Sequence, residues 1–408
     1  MSSAAGDSTH YDIAIIGGGM VGATLALLLS KALPEKRIVV LEAKKVEPEA
    51  LSLPSFDARS TAIAPSTYDI LAKLSLAEDI APYATAIRHV HVSDRGQPGM
   101  LRISGEDNQQ KPLGFVVENR GLGRALLSRV EQSENIHMRA PALVDQLQFM
   151  SDCVHVRTED KSLHASLVVI ADGADSPLRK QLGIAEQVKD YQQVAVVTNV
   201  AYEKQHQGVA FERFTESGPL ALLPIGGEGA NISTLVWTWP ENEKDKPLAM
   251  SDEAFLQCLQ QRFGYRLGRF KKVGQRFVYP LKLMLASEQV RSRVVLMGNA
   301  AHFLHPVAGQ GFNLALRDCA RLTEVLRNNS SQIGHLSTLQ QYEKAQLQDQ
   351  HRTVFLSNSF NQLFLQKNPL LKRARNVGFM ALGLSSMARS AFIQQLAGKS
   401  QSRARPFS

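Results

Sequence analysis

The sequence predicts an α/β protein in which a largely parallel sheet with flanking helices is joined to a second, more antiparallel sheet and to C-terminal helices. Two short apolar strands, at 11–16 and 37–42, enclose a glycine turn and a helix, and such a βαβ unit is typical of a parallel sheet buried on both faces. Residues 185–285 change to alternating β segments with Gly and Pro turns. The chain becomes helical after Asn313, where apolar residues recur at helical spacing.

The first strand and helix could be mistaken for a targeting segment, because residues 13–30 are an uncharged run of 18 residues. Acidic Asp7 and Asp12 precede the run where a signal peptide would carry Lys or Arg, and glycines interrupt it. A buried strand, turn and helix is therefore the preferred interpretation over a signal peptide or a membrane span.

Two later apolar strands, at 166–171 and 293–297, each lead into a turn and a helix.

Composition is that of an ordinary globular protein. The chain has 408 residues, of which 44% are hydrophobic and 21% charged, and this excludes disordered, collagenous and coiled-coil classes and predicts two or three domains. Cys153, Cys258 and Cys319 lie far apart in the sequence. This spacing favours a reducing compartment, without a disulfide framework and without structural zinc.

The positive charge is concentrated at the C-terminus. The formal net charge is +8, but the last 59 residues carry nine basic and no acidic side chains, so the remaining body has 37 basic and 38 acidic residues. An uncharged stretch at 376–388 is too short to span a bilayer. It is either part of a helix lying at an anionic membrane surface or an ordinary packed helix with a solvated basic end. We therefore expect a cytoplasmic protein, peripheral on the inner face of the cytoplasmic membrane under the first alternative, and no nucleic-acid partner.

A glycine motif follows the first strand directly. Gly17, Gly19 and Gly22 form G-x-G-x-x-G, which lets the backbone turn tightly and lets a pyrophosphate approach the positive end of the helix. Glu42 ends the second strand, where a carboxylate suits a ribose hydroxyl and would repel the 2′-phosphate of NADP. The unit therefore predicts an adenine dinucleotide without that phosphate, either FAD or NAD.

Two further glycine motifs follow the later strands. Asp172 and Gly173 stand at the end of the strand at 166–171, and taken alone they could be only a turn and a helix cap. The third motif runs from 298 to 313, follows the strand at 293–297 and opens a helix. The start of that helix points N–H groups and a positive dipole at whatever docks there, which suits an electron-rich flavin edge.

These three motifs, in this order, resemble those of the class A flavoprotein monooxygenases, aromatic hydroxylases built like para-hydroxybenzoate hydroxylase. The resemblance covers about residues 11–326 and implies a Rossmann-like FAD-binding domain with an inserted mixed or antiparallel sheet that binds substrate. Within this family the chain is similar to the ubiquinone-biosynthesis hydroxylases. Four segments carry that similarity, namely 56–64, 86–96, 211–214 and 218–221. The last three resemble the branch that acts on 2-polyprenyl-6-methoxyphenol.

The resemblance implies which residues contact the flavin. Pro306 and Val307 are expected near the flavin, without a separate catalytic acid, base or triad. Asn299 departs from the wider family, which has Asp there; an amide can still bind a ribityl hydroxyl but carries no charge. The residues that match the FAD-contacting positions are Gly17, Gly19, Gly22, Glu42, Arg59, Asp172, Gly173, Asn299, Gly309, Gln310, Gly311 and Asn313.

The resemblance also implies the reaction. Reduced FAD would capture O₂ as a C4a-hydroperoxide and transfer one oxygen atom to a polyprenylated methoxyphenol, while the protein orients the ring and excludes water. NAD(P)H or another electron donor would bind transiently, since no second dinucleotide fingerprint is evident. Three alternatives stay open: a sibling hydroxylase acting at another ring carbon, a flavin-dependent dehydrogenase or prenyl reductase, and a non-catalytic FAD-bound subunit of a ubiquinone-biosynthesis complex.

Other candidate residues receive more ordinary interpretations. His302 and His305 are close in sequence, but no third metal ligand is evident, so no metal is expected. Trp237 and Trp239 alternate on one strand and are predicted to pack on the same face. Four residues could line the substrate side, although sheet packing or surface pairing is preferred for each: Tyr191, Gln193, Arg213 and Phe214.

The segments predict a discontinuous domain organisation. After a disordered N-terminus at 1–9, the FAD-binding domain comprises 10–75, 112–183 and 286–345, the substrate-binding sheet domain comprises 76–111 and 184–285, and a basic helical region occupies 346–408.

Overall fold

The structure, a computed structural model, describes residues 9–45, 59–96, 99–105, 111–159, 161–304 and 309–365. The strands in these ranges are β1 His10–Ile16, β2 Ile38–Leu41, β3 Ser60–Ile63, β4 Ala84–Ile87, β5 His89–Asp94, β6 Met100–Ser104, β7 Gly114–Glu118, β8 Ile136–Arg139, β9 Val144–Phe149, β10 Val154–Thr158, β11 Ser162–Ile170, β12 Glu186–Tyr202, β13 Val209–Thr215, β14 Gly218–Ile225, β15 Ile232–Pro240, β16 Phe270–Val273, β17 Phe277–Ala286, β18 Val290–Arg291, β19 Val294–Leu296 and β20 His302–Phe303. The α-helices are α1 Met20–Ala32, α2 Pro65–Lys73, α3 Ala77–Ile80, α4 Asn119–Glu131, α5 Pro177–Gln181, α6 Lys246–Ala249, α7 Asp252–Phe263, α8 Gln310–Asn328 and α9 Leu336–Leu365.

The first sheet is mainly parallel, with the order β18-β19-β11-β1-β2-β8 and an antiparallel extension of β10 and β9. β1 lies between β2 and β11 and is parallel to both. Helices α1, α4 and α8 pack on one face of this sheet, and the β9–β10 hairpin with α5 packs on the other. Burial on both faces explains why these strands are nearly continuous apolar runs in the sequence.

The second sheet has nine strands, in the order β20-β17-β12-β15-β14-β13-β5-β6 with β16 also paired to β12. Its long central strands are antiparallel, whereas β13 and β5 are parallel. Helix α7 covers one face, where Phe255 packs against Trp237. The rings of Trp237 and Trp239 lie 4.8 Å apart on that face, so the prediction that they share a face is confirmed.

A small sheet, β3-β7-β4, lies between the two large ones. Its Ile87 and Val116 pack with Ala210 and Ile225 of the nine-stranded sheet, and Thr85 Oγ1 accepts a hydrogen bond from the Gly227 N–H. Since β4 precedes and β7 follows the predicted domain boundary between 111 and 112, the small sheet crosses it. The division of the chain at that position stays a prediction.

The predicted fold class, a parallel α/β sheet combined with a mixed, largely antiparallel one, is confirmed. None of the helices in the described part of the chain has both the length and the apolar character needed to cross a bilayer. The N-terminal segment 1–8 and the basic region 366–408 lie outside the described residues, so the predictions made for them stay predictions.

Candidate cofactor and active site

The glycine turn between β1 and α1 is shaped by two close backbone approaches. A Cβ on Gly17, where φ is +105°, would lie 2.4 Å from the Ala171 carbonyl oxygen, and a Cβ on Gly22 would lie 1.9 Å from the Gly17 oxygen. No side chain larger than hydrogen fits at either position. The turn therefore brings the N-terminus of α1 directly against the carboxyl ends of β1 and β11, which is the geometry of a dinucleotide phosphate cradle.

The N-terminus of α1 is electrostatically prepared for an anion. Gly19 is its N-cap, no side chain caps it, and its first turn contains no acidic residue. The unpaired N–H groups and the helix dipole therefore present positive potential to an incoming phosphate. Glu42 lies just beyond β2 and accepts hydrogen bonds from the backbone N–H groups of Gly18, at 2.7 Å, and Lys44, at 3.0 Å. These bonds fix its carboxylate beside the glycine turn, where a ribose would lie.

Asp172 follows β11 at the same edge of the sheet. One of its carboxylate oxygens accepts a hydrogen bond from the Ser176 hydroxyl at 2.8 Å, whereas the other, Oδ1, is buried and has no partner among the described residues. Burial raises the pKa of this carboxyl group above its ordinary value. Gly173, with φ of +102°, has open space on the side where a Cβ would lie. An unpaired buried acceptor beside open space is what a ligand hydroxyl would satisfy.

The third glycine motif packs against the helix of the first motif, α1. Gly298, at φ +60°, opens a short turn after β19, and a Cβ there would lie 3.2 Å from a Val21 methyl group in the first turn of α1. Asn299 is exposed at this point, so its amide is available to a ligand. Gly17, Asp172 and Asn299 thus follow β1, β11 and β19, whose carboxyl ends meet at one edge of the parallel sheet.

Helix α8 begins at the second half of the third motif. Gly309 is its N-cap in the left-handed conformation, at φ +59°, and packs on Ala62 of β3. Gln310 and Gly311 form the first turn, with their N–H groups at the positive end of the helix. The predicted FAD-contacting glycines of this motif therefore stand beside β3.

The side-chain amide of Asn313, a predicted FAD-contacting residue, is bonded to other protein groups. Its Oδ1 accepts hydrogen bonds from the Ala64 N–H, at 2.7 Å, and the Thr67 hydroxyl, at 2.6 Å. Its Nδ2 donates to the carbonyl oxygens of Ala62, at 3.0 Å, and Gly309, at 2.7 Å. All four hydrogen-bonding positions of the amide are used by protein groups. Asn313 therefore fixes β3 and α2 to the start of α8.

Arg59 and Ser60 connect this site to the nine-stranded sheet. The Arg59 guanidinium lies over the ring of Tyr279, 4.6 Å from its centroid, and Thr234 Oγ1 donates a hydrogen bond to Ser60 Oγ at 3.2 Å. The face of the nine-stranded sheet that carries Thr234 and Tyr279 is thus turned toward the predicted cofactor residues.

A buried polar network that the sequence did not reveal connects β20, α8 and α9. His302 Nε2 lies 2.5 Å from Asp318 Oδ2, and Gln350 Nε2 donates to Asp318 Oδ1 at 3.2 Å. His302 is thus paired with a carboxylate, whereas His305, Pro306 and Val307 lie outside the described residues. Within the described ranges, no cluster of three His, Cys, Asp or Glu side chains is placed to hold a metal ion.

The four candidate substrate-side residues have mostly structural contacts. Gln193 Nε2 donates to the Ser217 carbonyl, and Arg213 Nε donates to the Arg262 carbonyl at the end of α7. Phe214 is buried in a small apolar cluster. Tyr191 is partly buried, and burial raises its pKa. These contacts agree with the preferred interpretation of sheet packing, and none of them places these residues at the cofactor.

The described residues fit FAD. Four features line one edge of the parallel sheet: a phosphate cradle at α1, a fixed carboxylate at Glu42, an unpaired acceptor at Asp172 and the uncapped N-terminus of α8. Such a series of donors and acceptors matches a long dinucleotide with a hydroxylated chain and a flavin ring.

Comparison with known proteins identifies the family. Residues 10–355 match the family described as FAD binding domain. The chain is 35% identical to a ubiquinone hydroxylase, UbiL, of Rhodospirillum rubrum, over 95% of this chain and 89% of that protein. It is 30% identical to the human mitochondrial ubiquinone biosynthesis monooxygenase COQ6, over 87% of this chain and 85% of that one.

Solved structures show the same fold. A p-nitrophenol 4-monooxygenase, PnpA, from Pseudomonas putida superposes with a TM-score of 0.78 at 20% identity, over 96% of this chain and all of that one. A variant of HpxO from Klebsiella pneumoniae, solved with FAD, superposes with a TM-score of 0.73 at 18% identity, over 96% and 99% of the two chains. The predicted family and cofactor are therefore confirmed: the chain belongs to the FAD-dependent monooxygenases, in the family that includes ubiquinone-biosynthesis enzymes of bacteria and mitochondria.

Proposed function

We propose that the protein hydroxylates the aromatic ring of a polyprenylated methoxyphenol, 2-polyprenyl-6-methoxyphenol, in ubiquinone biosynthesis. The observation that carries this proposal is the identity of 35% with a ubiquinone hydroxylase over nearly the whole of both chains. The arrangement of the cofactor residues beside an apolar sheet face supports it, because an apolar wall suits a neutral ring with a prenyl chain.

FAD supplies the oxygen chemistry when bound, by the C4a-hydroperoxide route that the family resemblance implies, with NAD(P)H as the donor typical of this family. The chain's own residues bind and orient it. The α1 N-terminus holds the pyrophosphate, Glu42 a ribose hydroxyl, and Asp172 a hydroxyl of the ribityl chain. Asn299 would bind the same chain without a charge.

A sibling reaction at another ring carbon is the second candidate. The names of the two relatives, a ubiquinone hydroxylase and a ubiquinone biosynthesis monooxygenase, specify no ring position. Product analysis separates the two candidates. In a strain without the gene, 2-polyprenyl-6-methoxyphenol should accumulate, whereas a more highly substituted or a less substituted precursor would assign the enzyme to another carbon.

Isotope labelling tests whether the protein transfers oxygen at all. The purified FAD-loaded protein, supplied with NAD(P)H, a short-chain 2-prenyl-6-methoxyphenol and ¹⁸O₂, should give a product that contains one labelled oxygen atom. A reduced product without the label would instead indicate a dehydrogenase or prenyl reductase. A protein that binds FAD and converts no phenol, although it restores ubiquinone in cells, would indicate a non-catalytic subunit.

A location at the membrane surface, in contact with other ubiquinone-biosynthesis proteins, is part of the proposal. The substrate's prenyl chain places it in lipid, and the nine basic side chains of the last 59 residues would favour an anionic surface. Removal of residues 369–408 should then shift the protein from the membrane fraction to the supernatant, and an unchanged distribution would contradict this part.

A further inference from the structure

One carboxyl group on the nine-stranded sheet is not explained by any of the flavin motifs. Glu212 lies in β13, at the centre of a strand whose neighbours are β5 and β14. Its carboxylate makes no hydrogen bond or ion pair with the residues that the structure describes. An unpaired carboxylate inside a sheet is costly, and a buried carboxyl group with a shifted pKa is a candidate for binding or catalysis.

The strand register places Glu212 on the face turned toward the cofactor residues. Glu212 pairs with Ala221, and Ala221 pairs with Val236. Directly paired residues project to the same side of a sheet, so these three share one face, and two strand spacings put Glu212 about 10 Å from Val236. Val236 and Tyr279 both pack against one apolar cluster on that face, and Tyr279 lies beneath the Arg59 guanidinium.

A second contact fixes the same orientation independently. Thr234 lies two residues before Val236, on the same face, and donates its hydrogen bond to Ser60 of β3. The opposite face is closed, because Phe211, next to Glu212 in the strand, packs edge-on against Phe263 of α7 at 5.3 Å. Glu212 therefore faces β3 and the start of α8 rather than the helix-covered side.

The surroundings of Glu212 are apolar. Val92 and Ala221 flank it across the strands, and Ala210 and Phe214 precede and follow it on its own side of β13. Asp94, which pairs with Phe214, is the acidic residue on this face according to the register, and it lies diagonally across β5.

Burial raises the pKa of Glu212 to about 7. Glu212 nevertheless keeps some accessible surface, as expected for a side chain on the wall of a cavity. A carboxyl group of this kind can exchange a proton near neutral pH.

We propose that Glu212 is a catalytic residue of this enzyme, whose carboxylate accepts a hydrogen bond from the hydroxyl of the phenolic ring and takes its proton. The inference rests on the proposed ring hydroxylation. In this step the O–H bond of the phenol breaks and an O–H bond forms on Glu212, while the electron pair stays on the phenol oxygen. The ring becomes more electron-rich toward the oxygen atom that attacks it, and Glu212 later returns the proton to solvent.

The pKa relation between the two groups makes this transfer useful. A phenol hydroxyl ordinarily has a pKa of about 10, as tyrosine shows, so solvent at neutral pH leaves it protonated. A base with a pKa of about 7 is ionised in about half of the molecules at that pH and takes the proton as the ring is attacked. Because the base must be ionised, hydroxylation should slow as the pH falls below about 7.

The test compares Glu212→Gln and Glu212→Asp with Glu216→Gln, all in the full FAD-loaded chain. Glu216 is an exposed acidic residue of the same hairpin and serves as the matched control. With a short-chain 2-prenyl-6-methoxyphenol, Glu212→Gln should lower the rate of product formation about 100- to 1000-fold, since general bases contribute in that range. The Asp variant should keep part of the rate, and the control should keep all of it.

Two readouts distinguish a catalytic role from a structural one. The decrease in rate below pH 7 should be present in the wild type and absent in Glu212→Gln, with equal FAD content in both. Binding, followed by the change in flavin absorbance, should favour the phenol over its O-methyl ether in the wild type, and Glu212→Gln should lose that preference.

Unchanged product formation and an unchanged preference in Glu212→Gln would overturn the assignment of Glu212. So would a wild-type profile without an acidic limb near pH 7, a measurement that needs no variant. If the wild type incorporates no labelled oxygen, the proposed function fails instead, and the phenol-versus-ether binding preference still shows whether Glu212 recognises a ring hydroxyl.

Discussion

The position of Asp172 at the carboxyl edge of the parallel sheet destabilises the protein when no ligand is bound. Its Oδ1 atom is buried without a partner in the described part of the chain, and burial raises the pKa of the carboxyl group. Leaving a buried acceptor unpaired costs about 1–3 kcal/mol. The cost is offset only when a donor arrives, and a ligand hydroxyl at this edge would be such a donor.

The first prediction follows for Asp172→Asn. Because the folded-state pKa of Asp172 is raised, its ionised form lowers the stability at pH values above that pKa, and this penalty disappears as the pH falls. Asn removes the penalty, so the FAD-free variant should be at least as stable as the wild type at pH 7 in urea unfolding. Its FAD dissociation constant should rise about tenfold, as expected for losing one charge-assisted hydrogen bond.

Asp175→Asn is the matched control for that measurement. Asp175 belongs to the same turn, but it is highly exposed and its partner is Lys282 at 3.5 Å. Flavin fluorescence titration should give the wild-type dissociation constant for this variant. Equal dissociation constants for the two variants would contradict a direct role of Asp172 in holding FAD.

The start of α8 shows that a residue of a cofactor motif can serve to hold neighbouring elements together. Asn313 was expected to contact FAD because of its place in the motif, yet its amide is occupied by β3, α2 and Gly309. These partners, except Gly309, lie about 250 residues earlier in the chain. A local pattern identifies such a residue but cannot identify its partners, because they come together only when the chain folds.

We therefore predict that Asn313→Ala affects both stability and FAD binding. The change leaves the Ala64 N–H and the Thr67 hydroxyl unpaired in the interior, which should lower the free energy of unfolding by about 2–4 kcal/mol. The loosened contact between α8 and β3 should also weaken FAD binding. Asn329→Ala, at the other end of α8, removes a hydrogen bond to the Val325 carbonyl and a long, exposed one to Gln341, and it should change neither quantity noticeably. A stable Asn313→Ala variant would show that the four bonds contribute little.

Across the molecule, a site residue can be predicted from the sequence when its partners lie close to it in the chain, and it cannot when they lie far away. Gly17, Gly22 and Glu42 belong to one βαβ unit, so their spacing alone predicts both their geometry and the class of ligand. Glu212 lies on the sheet face turned toward the predicted cofactor residues only because β13 pairs with β14 on one side and with β5, more than a hundred residues earlier, on the other. That pairing follows from tertiary packing, so no pattern within β13 could reveal it.

The His302–Asp318 pair joins the two large sheets, and it is the basis of the last prediction. His302 belongs to β20, at the edge of the nine-stranded sheet, whereas Asp318 lies in α8, which packs on the parallel sheet. Both side chains are almost fully buried. Removing one partner leaves the other buried polar group without its hydrogen bond, which typically costs about 1–3 kcal/mol, whereas replacing both by apolar side chains of similar shape costs far less.

A double-mutant cycle with His302→Leu and Asp318→Leu should therefore be strongly non-additive. Each single variant should lower the free energy of unfolding by about 1–3 kcal/mol, and the double variant should be more stable than the sum of the two single effects predicts by at least about 1 kcal/mol. The exposed pair of Arg157 and Asp145 provides the control, since surface ion pairs couple weakly at most. Additive effects at His302 and Asp318 in urea unfolding would show that the buried pair contributes no coupling energy of its own to the contact between the two sheets.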